Sequence, residues 1–436
     1  MARLTSTHAT AWTFRLLAWS TIVWLLGWRG VLLLGAAALA TQGAAVLIHA
    51  QRERPATAGL TLTVAVAAEL LLLASTIWPG TGVTGLPVGV GVFVCHAVSY
   101  LVDVRRGTAS PERPGAALLY LLQLPVFPSG PLSRFHDFAE QVSRADVTMA
   151  GVSYGVRRIV TGLTKVYLIA GPLGATADAI FSLRVTQLSF DTAWLGAVCA
   201  PLQVYYYVYG FSDVGIGLGK LLGFRYLENF RRPFTADSIR EFWRRWNVTL
   251  VTWLRDYAAL PIAGHERPTL RLYLVTIAGF VILGAWHGAG LQVVPWAVYF
   301  GSWLALESIG LGAWLHRAPK ALRHVYVLLV VVFGWMLLRA SGPGPLLGYA
   351  EAMSGFAVAP FGGASVYLTW GVGTALACAL FFAGPMIGNV SRWRVSVDAA
   401  VASLIMMFAA TGVLLWIVVG PIWRFLAPND PPRRTP

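Results

Sequence analysis

Long apolar runs alternate with short polar connectors along almost the whole chain. Runs near 11 to 28, 31 to 49, 58 to 78 and 86 to 104 are followed by others at about 151 to 171, 190 to 211, 270 to 288, 291 to 312, 325 to 340, 366 to 388 and 397 to 422. Roughly 20 apolar residues are needed to cross a bilayer as a helix, so the pattern predicts about ten to twelve crossings and little soluble domain. The expected class is an all-α polytopic membrane protein. Composition agrees: 57% of residues are hydrophobic and 12% charged, and the mean hydropathy of +0.64 lies outside the range of soluble domains. Arg3 precedes an apolar run from about Ala11 with no small-residue cleavage site after it, so the first span is expected to be retained. No repeat pair of the kind that marks many transporters is visible.

Charge sets the orientation. The net charge of +14 comes from Lys and Arg in short connectors, which reads as a topology signal and lipid-headgroup contact and not as nucleic-acid binding. QRER at 51 to 54, the Arg105, Arg106, Arg113 group, HRAPKALRH at 316 to 324 and SRWR at 391 to 394 are assigned to the cytoplasm. The uncharged WPGTGVTGLPVG connector and the stretch from Gly342 to Gly363 face the other side. Cys95, Cys199 and Cys378 are far apart in apolar runs and are read as core residues, forming neither a disulfide framework nor a thiolate metal site.

The middle of the chain breaks the pattern. From Phe224 to Leu254 it carries Arg225, Arg231, Arg232, Arg240, Arg244 and Arg245 with Trp243, Trp246 and Trp253. Such a segment is no lipid-facing span. One reading is an interfacial anchor helix, with guanidinium groups in water and indoles at the headgroups. The other is that the arginines bind the phosphates of an incoming substrate through charge-assisted bonds. Asp213, Arg255 and Asp256 place charges close to or inside the membrane, where they are costly unless paired with neighbouring arginines. Asn247 cannot ionise, yet its amide both donates and accepts hydrogen bonds.

His287 follows the apolar run VTIAGFVILGAW, and a titratable group at that depth is a functional-site hypothesis by default. A lone histidine on an apolar face is also commonly a satisfied core group. Gly284, Gly288 and Gly290 around it remove side chains that would cover the imidazole, which favours a ligand passing close by. His265, His316 and His324 lie in charged connectors, His8 in the N-terminal tail and His49 at a span end; His96 and His136 remain as supporting groups.

Six segments in order carry a family resemblance: SYLVDVRRG at 99 to 107, PVFPSGPLSRFHDF at 125 to 138, FSDVGIGLGKLLGF at 211 to 224, ENFRRPFTADSIREFWRRWNVTLVTWLRDY at 228 to 257, AWHG at 285 to 288 and GWMLLRA at 334 to 340. With them the chain resembles the membrane-bound O-acyltransferases, in particular the bacterial branch that includes the alginate O-acetylation membrane subunit and the teichoic-acid D-alanylation membrane protein. The resemblance covers about residues 95 to 345. It implies a helix bundle with re-entrant or interfacial helices around a central funnel or tunnel, residues 1–94 and 346–436 adding further transmembrane helices. Its catalytic histidine falls on His287 and its second hallmark position on Asn247. That branch usually has His in place of Asn247, and an acid and a serine where Tyr207 and Tyr209 stand; these departures bear on acceptor choice.

The implied chemistry is transfer of an acyl group, acetyl in the first instance, from acyl-CoA or an acyl carrier protein thioester to a hydroxyl acceptor, with no metal and no bound cofactor. His287 would be the base and Asn247 would hold the carbonyl. Arg244, Arg245, Trp246, Trp253, Arg255, Asp256 and Trp286 are expected to bind donor or line the cavity, with Asp213, Ser212 and Tyr207 behind them. Expected partners are membrane lipids, the donor, a glycan, envelope-polymer, lipid or small-metabolite acceptor, and an extracytoplasmic acyl-transfer protein. The Ala, Gly, Val and Arg bias points to a high-GC bacterium and its plasma membrane. A non-catalytic scaffold or a transporter component of an acylation system is the alternative, and loss of His287 separates it from an enzyme.

Overall fold

The computed structural model describes residues 30–77, 87–111, 114–127, 129–142, 147–264, 269–286, 292–339, 343–356 and 363–383. The expected spans at 11 to 28 and 397 to 422, the SRWR connector and His287 lie outside the described residues. Everything described is helix or connector, with no strand. The chain is a multi-pass membrane protein of the all-α class.

Helices α1 (Gly30–Ala50) and α2 (Pro55–Ile77) lie on either side of the QRER connector. In α1 the buried apolar side chains Leu34, Ala38, Ala45 and Ile48, with Thr41 and Gln42, form one stripe at steps of three and four. Leu32, Leu39 and Leu47 point outward and are more than half exposed. An apolar outer face is what lipid requires and water would penalise. Pro55 opens α2, where its fixed φ suits a first turn and its missing N–H is not needed. Buried Glu69 in α2 accepts a 2.6 Å hydrogen bond from the Thr41 hydroxyl of α1.

Next come α3 (Pro87–Arg106), which ends on Arg105 and Arg106, and the short α4 (Pro114–Leu121) and α5 (Phe135–Val142). Then α6 (Met149–Thr164) runs through a wide π turn (Lys165–Ala170) into α7 (Gly171–Phe181). It packs along α8 (Phe190–Leu221), a 32-residue helix. The span expected at 190 to 211 is therefore too short. The apolar run stops near Asp213 but the helix does not, because cations from α6 neutralise that acid.

Two glycine pairs set the α6–α8 spacing. A Cβ on Gly162 would come within 2.5 Å of the Gly210 carbonyl oxygen, and one on Gly155 within 2.8 Å of that of Gly217. The reverse substitutions on Gly210 and Gly217 meet Gly162 and Gly155 at 2.6 and 2.7 Å. Small residues thus let the two backbones touch, as in many membrane helix pairs. Steps of three and four put Arg158 and Lys165 on the glycine face of α6, and Asp213 between Gly210 and Gly217 on α8.

The Arg- and Trp-rich segment forms two short helices, α9 (Ile239–Arg245) and α10 (Val248–Leu254), the second continuing through a π turn (Arg255–Ala259) into α11 (Leu260–Ala263). A single interfacial anchor helix does not form. Trp243 and Trp246 are buried in a ring cluster with Phe242, Phe280, Trp296 and Trp335, so their apolar area is hidden in protein and not spread at the headgroups.

The remaining elements are α12 (Leu270–Trp286), α13 (Val293–Leu306) with a π turn (Glu307–Leu311) into α14 (Gly312–Leu315), α15 (Lys320–Arg339), α16 (Pro343–Ser354) and α17 (Trp370–Ala383). Helix α16 occupies part of the stretch read from sequence only as an external connector. Its Tyr349, Ala352 and Met353 are buried, and the Tyr349 hydroxyl donates to the Ala193 carbonyl. Among the described residues four helices are long and apolar enough to cross a membrane alone: Gly30–Ala50, Pro55–Ser75, Ala150–Phe181 and Lys320–Arg339.

Candidate functional site

Each of the three π turns presents a charged side chain to a neighbouring element. Wide turns of this kind recur at functional sites in α-helices. Lys165 reaches Asp213 at 2.5 Å. Asp256 pairs with Arg255 at 2.8 Å and with Arg134 at the start of α5. Glu307 accepts from the backbone N–H groups of Ile239 at 2.6 Å and Arg240 at 3.0 Å, capping α9 with a carboxylate where the helix dipole favours one. The Tyr326 hydroxyl also donates to Glu307. The Arg- and Trp-bearing helix is therefore pinned at its N-terminus from α13.

Asp213 is 1% exposed. Arg158 stands 2.7 Å away on one side and Lys165 on the other, and Arg158 also holds Glu228 at 2.5 Å. Two half-buried cations thus neutralise the buried Asp213, with Glu228 completing the cluster at its exposed edge. The acid is paired as the sequence required, but its partners come from α6 and not from the arginines of 225 to 245. Lys165 additionally lies 3.2 Å above the Tyr209 ring, a close cation–π contact.

One residue away, Ser212 accepts a 3.0 Å hydrogen bond from the Asn229 amide nitrogen. The Asn229 side-chain oxygen accepts from the Thr249 N–H at 3.2 Å and the Thr249 hydroxyl at 2.8 Å, and Thr249 in turn accepts from the Leu132 N–H at 2.9 Å. The Asn229 carbonyl takes the Val248 N–H at 2.8 Å. This buried amide thus ties α8, the loop after α4 and the first turn of α10 together. Sequence reasoning missed it; the available signal was an uncharged amide set between Glu228 and Phe230 in a segment otherwise rich in arginine.

Asn247 sits at the break between α9 and α10 with φ 42° and ψ 55°. Left-handed backbone penalises side chains with a bulky Cβ and is tolerated best by Gly, Asn, Asp and His. The position is thus restricted by its backbone before any chemistry is asked of it. Its side chain caps no helix. The amide is half-buried and has no side-chain hydrogen bond among the described residues, while its neighbours are fixed: the Trp246 N–H donates to the Phe242 carbonyl at 2.9 Å and the Val248 N–H to the Asn229 carbonyl at 2.8 Å.

The other predicted residues divide. Arg245 is committed to Glu241 and, at 2.6 Å, to the Thr235 hydroxyl, whereas Arg244 is exposed and pairs with no carboxylate among the described residues. Trp253 bridges the two buried apolar clusters, and its indole N–H donates to the Cys95 carbonyl at 2.9 Å. Burial raises the Asp256 carboxyl pKa, but hydrogen bonds from Arg255 and Arg134 outweigh it and hold the group below the usual carboxylate range.

Three expectations need correction or restriction. Tyr207 is 47% exposed, edge-on to Phe211, and on another face of α8 from Ser212 and Asp213, so it forms no wall with them. His136 is an exposed group 3.4 Å from Glu140, one turn along α5. Trp286 is the last residue of α12, and its side chain, like His287, lies outside the described residues. His96 is wholly buried against the Tyr120 ring, 4.7 Å between centroids.

A family model described as MBOAT, membrane-bound O-acyltransferase family, matches residues 107–340, more than half of the chain. The chain belongs to the membrane-bound O-acyltransferase family. The matched stretch contains the Asp213 cluster, the Asn229 junction, Asn247 and His287. Among curated proteins the chain is similar to a probable alginate O-acetylase of Pseudomonas fluorescens, 37% identical over 259 residues covering 58% of this chain and 51% of that protein. It is similar to a peptidoglycan O-acetyltransferase of Helicobacter pylori, 26% identical over 62% of this chain and 57% of the relative. A teichoic acid D-alanyltransferase of Streptococcus thermophilus is 23% identical over 52% of this chain and 57% of its own length. The chain spans about half the length of the curated relatives it matches.

Proposed function

We propose that this membrane-bound O-acyltransferase family member transfers an acyl group, acetyl in the first instance, from a thioester donor to a hydroxyl of an envelope glycan or polymer. The observation that carries the reading is that one matched stretch, 107–340, holds both Asn247, on its strained turn, and His287. The relatives' names supply the direction, since they name alginate, peptidoglycan and teichoic acid as what those proteins act on.

In this account neutral His287 removes the proton of the acceptor hydroxyl as its oxygen attacks the thioester carbonyl carbon, work suited to an imidazole with a pKa near the operating pH. A tetrahedral intermediate forms, the C–S bond breaks, and the thiolate leaves with the proton returned by the imidazolium. Asn247 donates its amide N–H to the carbonyl oxygen as negative charge develops there. The Asn229 junction and the Glu307 cap hold the turn from which Asn247 projects. Arg244, exposed and paired with no carboxylate among the described residues, receives the phosphates of acyl-CoA or of a carrier-protein arm. The plasma membrane of a bacterium is the setting, and an extracytoplasmic acyl-transfer protein is the expected partner.

The test is whether membranes carrying the chain move radiolabelled acetyl from acetyl-CoA into material that hydroxylamine releases. Ester-linked label in a glycan fraction supports the reading. Label that stays on the donor in every fraction, with phosphopantetheine-linked donor also tried, speaks against it.

A further inference from the structure

At the end of α8 the chain folds back on itself and builds a second, separate feature. Gly223 takes φ 86°, a left-handed turn that reverses the chain. Phe224 then stacks on Phe138 of α5 at 4.9 Å. The Arg225 N–H donates to the Gln141 side-chain oxygen at 2.7 Å, and the Gln141 amide returns a bond to the Arg225 carbonyl at 3.2 Å. The Tyr226 ring lies against Gly219, where any Cβ would come within 2.2 Å of it. The returning strand of chain is therefore fixed on both sides.

Together with Tyr154, Ile216 and Lys220, these three residues line an open cleft of about 270 Å³. The Lys220 stem runs past Gly151 at the start of α6, where a Cβ would stand 3.3 Å from its Cε. Arg134, Arg158, Lys165, Arg245 and Arg255 each hold a carboxylate. Lys220 and Arg225 pair with none among the described residues, although both line the same cleft. The cleft lies at the basic end of the bundle: Gln141 of α5 anchors Arg225, Arg134 just before α5 pairs with Asp256, and the Asp256 carbonyl accepts from Arg106 at the end of α3.

We propose that this cleft binds a phosphate-bearing group. Lys220 supplies a compact charge and Arg225 a planar fork for phosphate oxygens, while Tyr154, Phe224 and Tyr226 flank whatever the phosphate is attached to. The volume falls just short of the roughly 300 to 1,000 Å³ of whole-ligand pockets, so it suits one phosphate with its immediate substituent and not an entire coenzyme. Two sources present that chemistry at the basic face: an anionic phospholipid headgroup, and the nucleotide phosphates of a thioester donor. The site needs no turnover and stands whether or not the acyl-transfer reading does.

The test uses the full chain purified into phosphatidylcholine nanodiscs, with and without phosphatidylglycerol. Binding of labelled adenosine 3′,5′-bisphosphate is measured in nanodiscs lacking phosphatidylglycerol, and retention of phosphatidylglycerol by native mass spectrometry in those containing it. Lys220→Gln/Arg225→Gln should weaken at least one of the two by about tenfold, Arg225→Gln alone by less, and Lys220→Arg should stay near the parent. Arg225→Gln keeps the backbone bonds to Gln141, so it also reports on a correctly folded cleft. Loss of the nucleotide assigns the donor as source, and loss of the lipid assigns the headgroup. Equal binding of both ligands by parent and double variant overturns the proposal. So does an equal loss from Arg317→Gln, an exposed cation that does not line the cleft.

Discussion

Replacing Asn229 by Leu removes the amide that joins α8, the loop after α4 and α10 while keeping nearly the same shape. Three side-chain hydrogen bonds disappear, to the Ser212 hydroxyl and to the N–H and hydroxyl of Thr249. At about 1 kcal/mol net for each, and a further ~1–3 kcal/mol for leaving buried Thr249 polar groups unsatisfied, the loss is about 4–6 kcal/mol. Asn229 and Ser212 are each 1% exposed and Thr249 7%, so water does not step in readily. The shift per kcal/mol shrinks with chain length, to about 1–2 °C for a chain of this size, so the thermal midpoint should fall by roughly 4–12 °C. Fluorescence-detected size-exclusion after heating, at one fixed heating protocol, measures it. Thr249→Val should cost less, and the double variant should fall short of the sum by about 1–2 kcal/mol because the two share bonds. A midpoint for Asn229→Leu within about 1 °C of the parent would refute the junction.

Asp213→Ala strips the buried carboxylate from two half-buried cations and should cost up to about 3–5 kcal/mol, read as lost folded yield in membranes; an unchanged yield would remove the cluster from the account. Gly162→Ala drives a methyl into the Gly210 carbonyl and should cost about 1–3 kcal/mol, whereas Gly43→Ala, with nothing within 4 Å of the added atom, should leave the thermal midpoint where it is. Asn247→Gly should fold like the parent yet lose acyl transfer, while Asn247→Ala should also lose about 1–2 kcal/mol of stability to the left-handed backbone. Because the folded Asp256 carboxyl is depressed, its contribution is complete above the unfolded value near ~3.9 and is lost as pH falls through the folded one. Asp256→Asn should therefore flatten the acid limb of a pH–stability profile.

Periodicity and hydropathy carried the sequence reading a long way for helices that bury one face and give the other to lipid. In α1, α2, α6 and α15 the apolar run and the helix coincide closely, because nothing but helix satisfies the backbone in a bilayer. Where a charge lies inside a helix the reading stopped early, as at Asp213 in α8, since the partners sit on α6 some fifty residues away. The glycines that bring those helices together are visible as letters, but their reciprocal contact is a property of two elements at once. The segment around Trp243 and Trp246 was ambiguous for a similar reason: Arg and Trp suit an interface, and only the packing of α13 and α15 on those indoles shows them to be core. Helix α16 was missed because Gly, Pro and Glu dilute its apolar pattern below that of a span. The three π turns leave no sequence mark that helical periodicity detects.

The most direct test of acyl transfer compares purified parent chain with His287→Ala and Asn247→Gly in proteoliposomes supplied with labelled acetyl-CoA and a soluble glycan acceptor. The account predicts ester-linked label from the parent, background from His287→Ala, and a strongly reduced rate from Asn247→Gly, with all three eluting as folded protein. Equal labelling by parent and His287→Ala would contradict it.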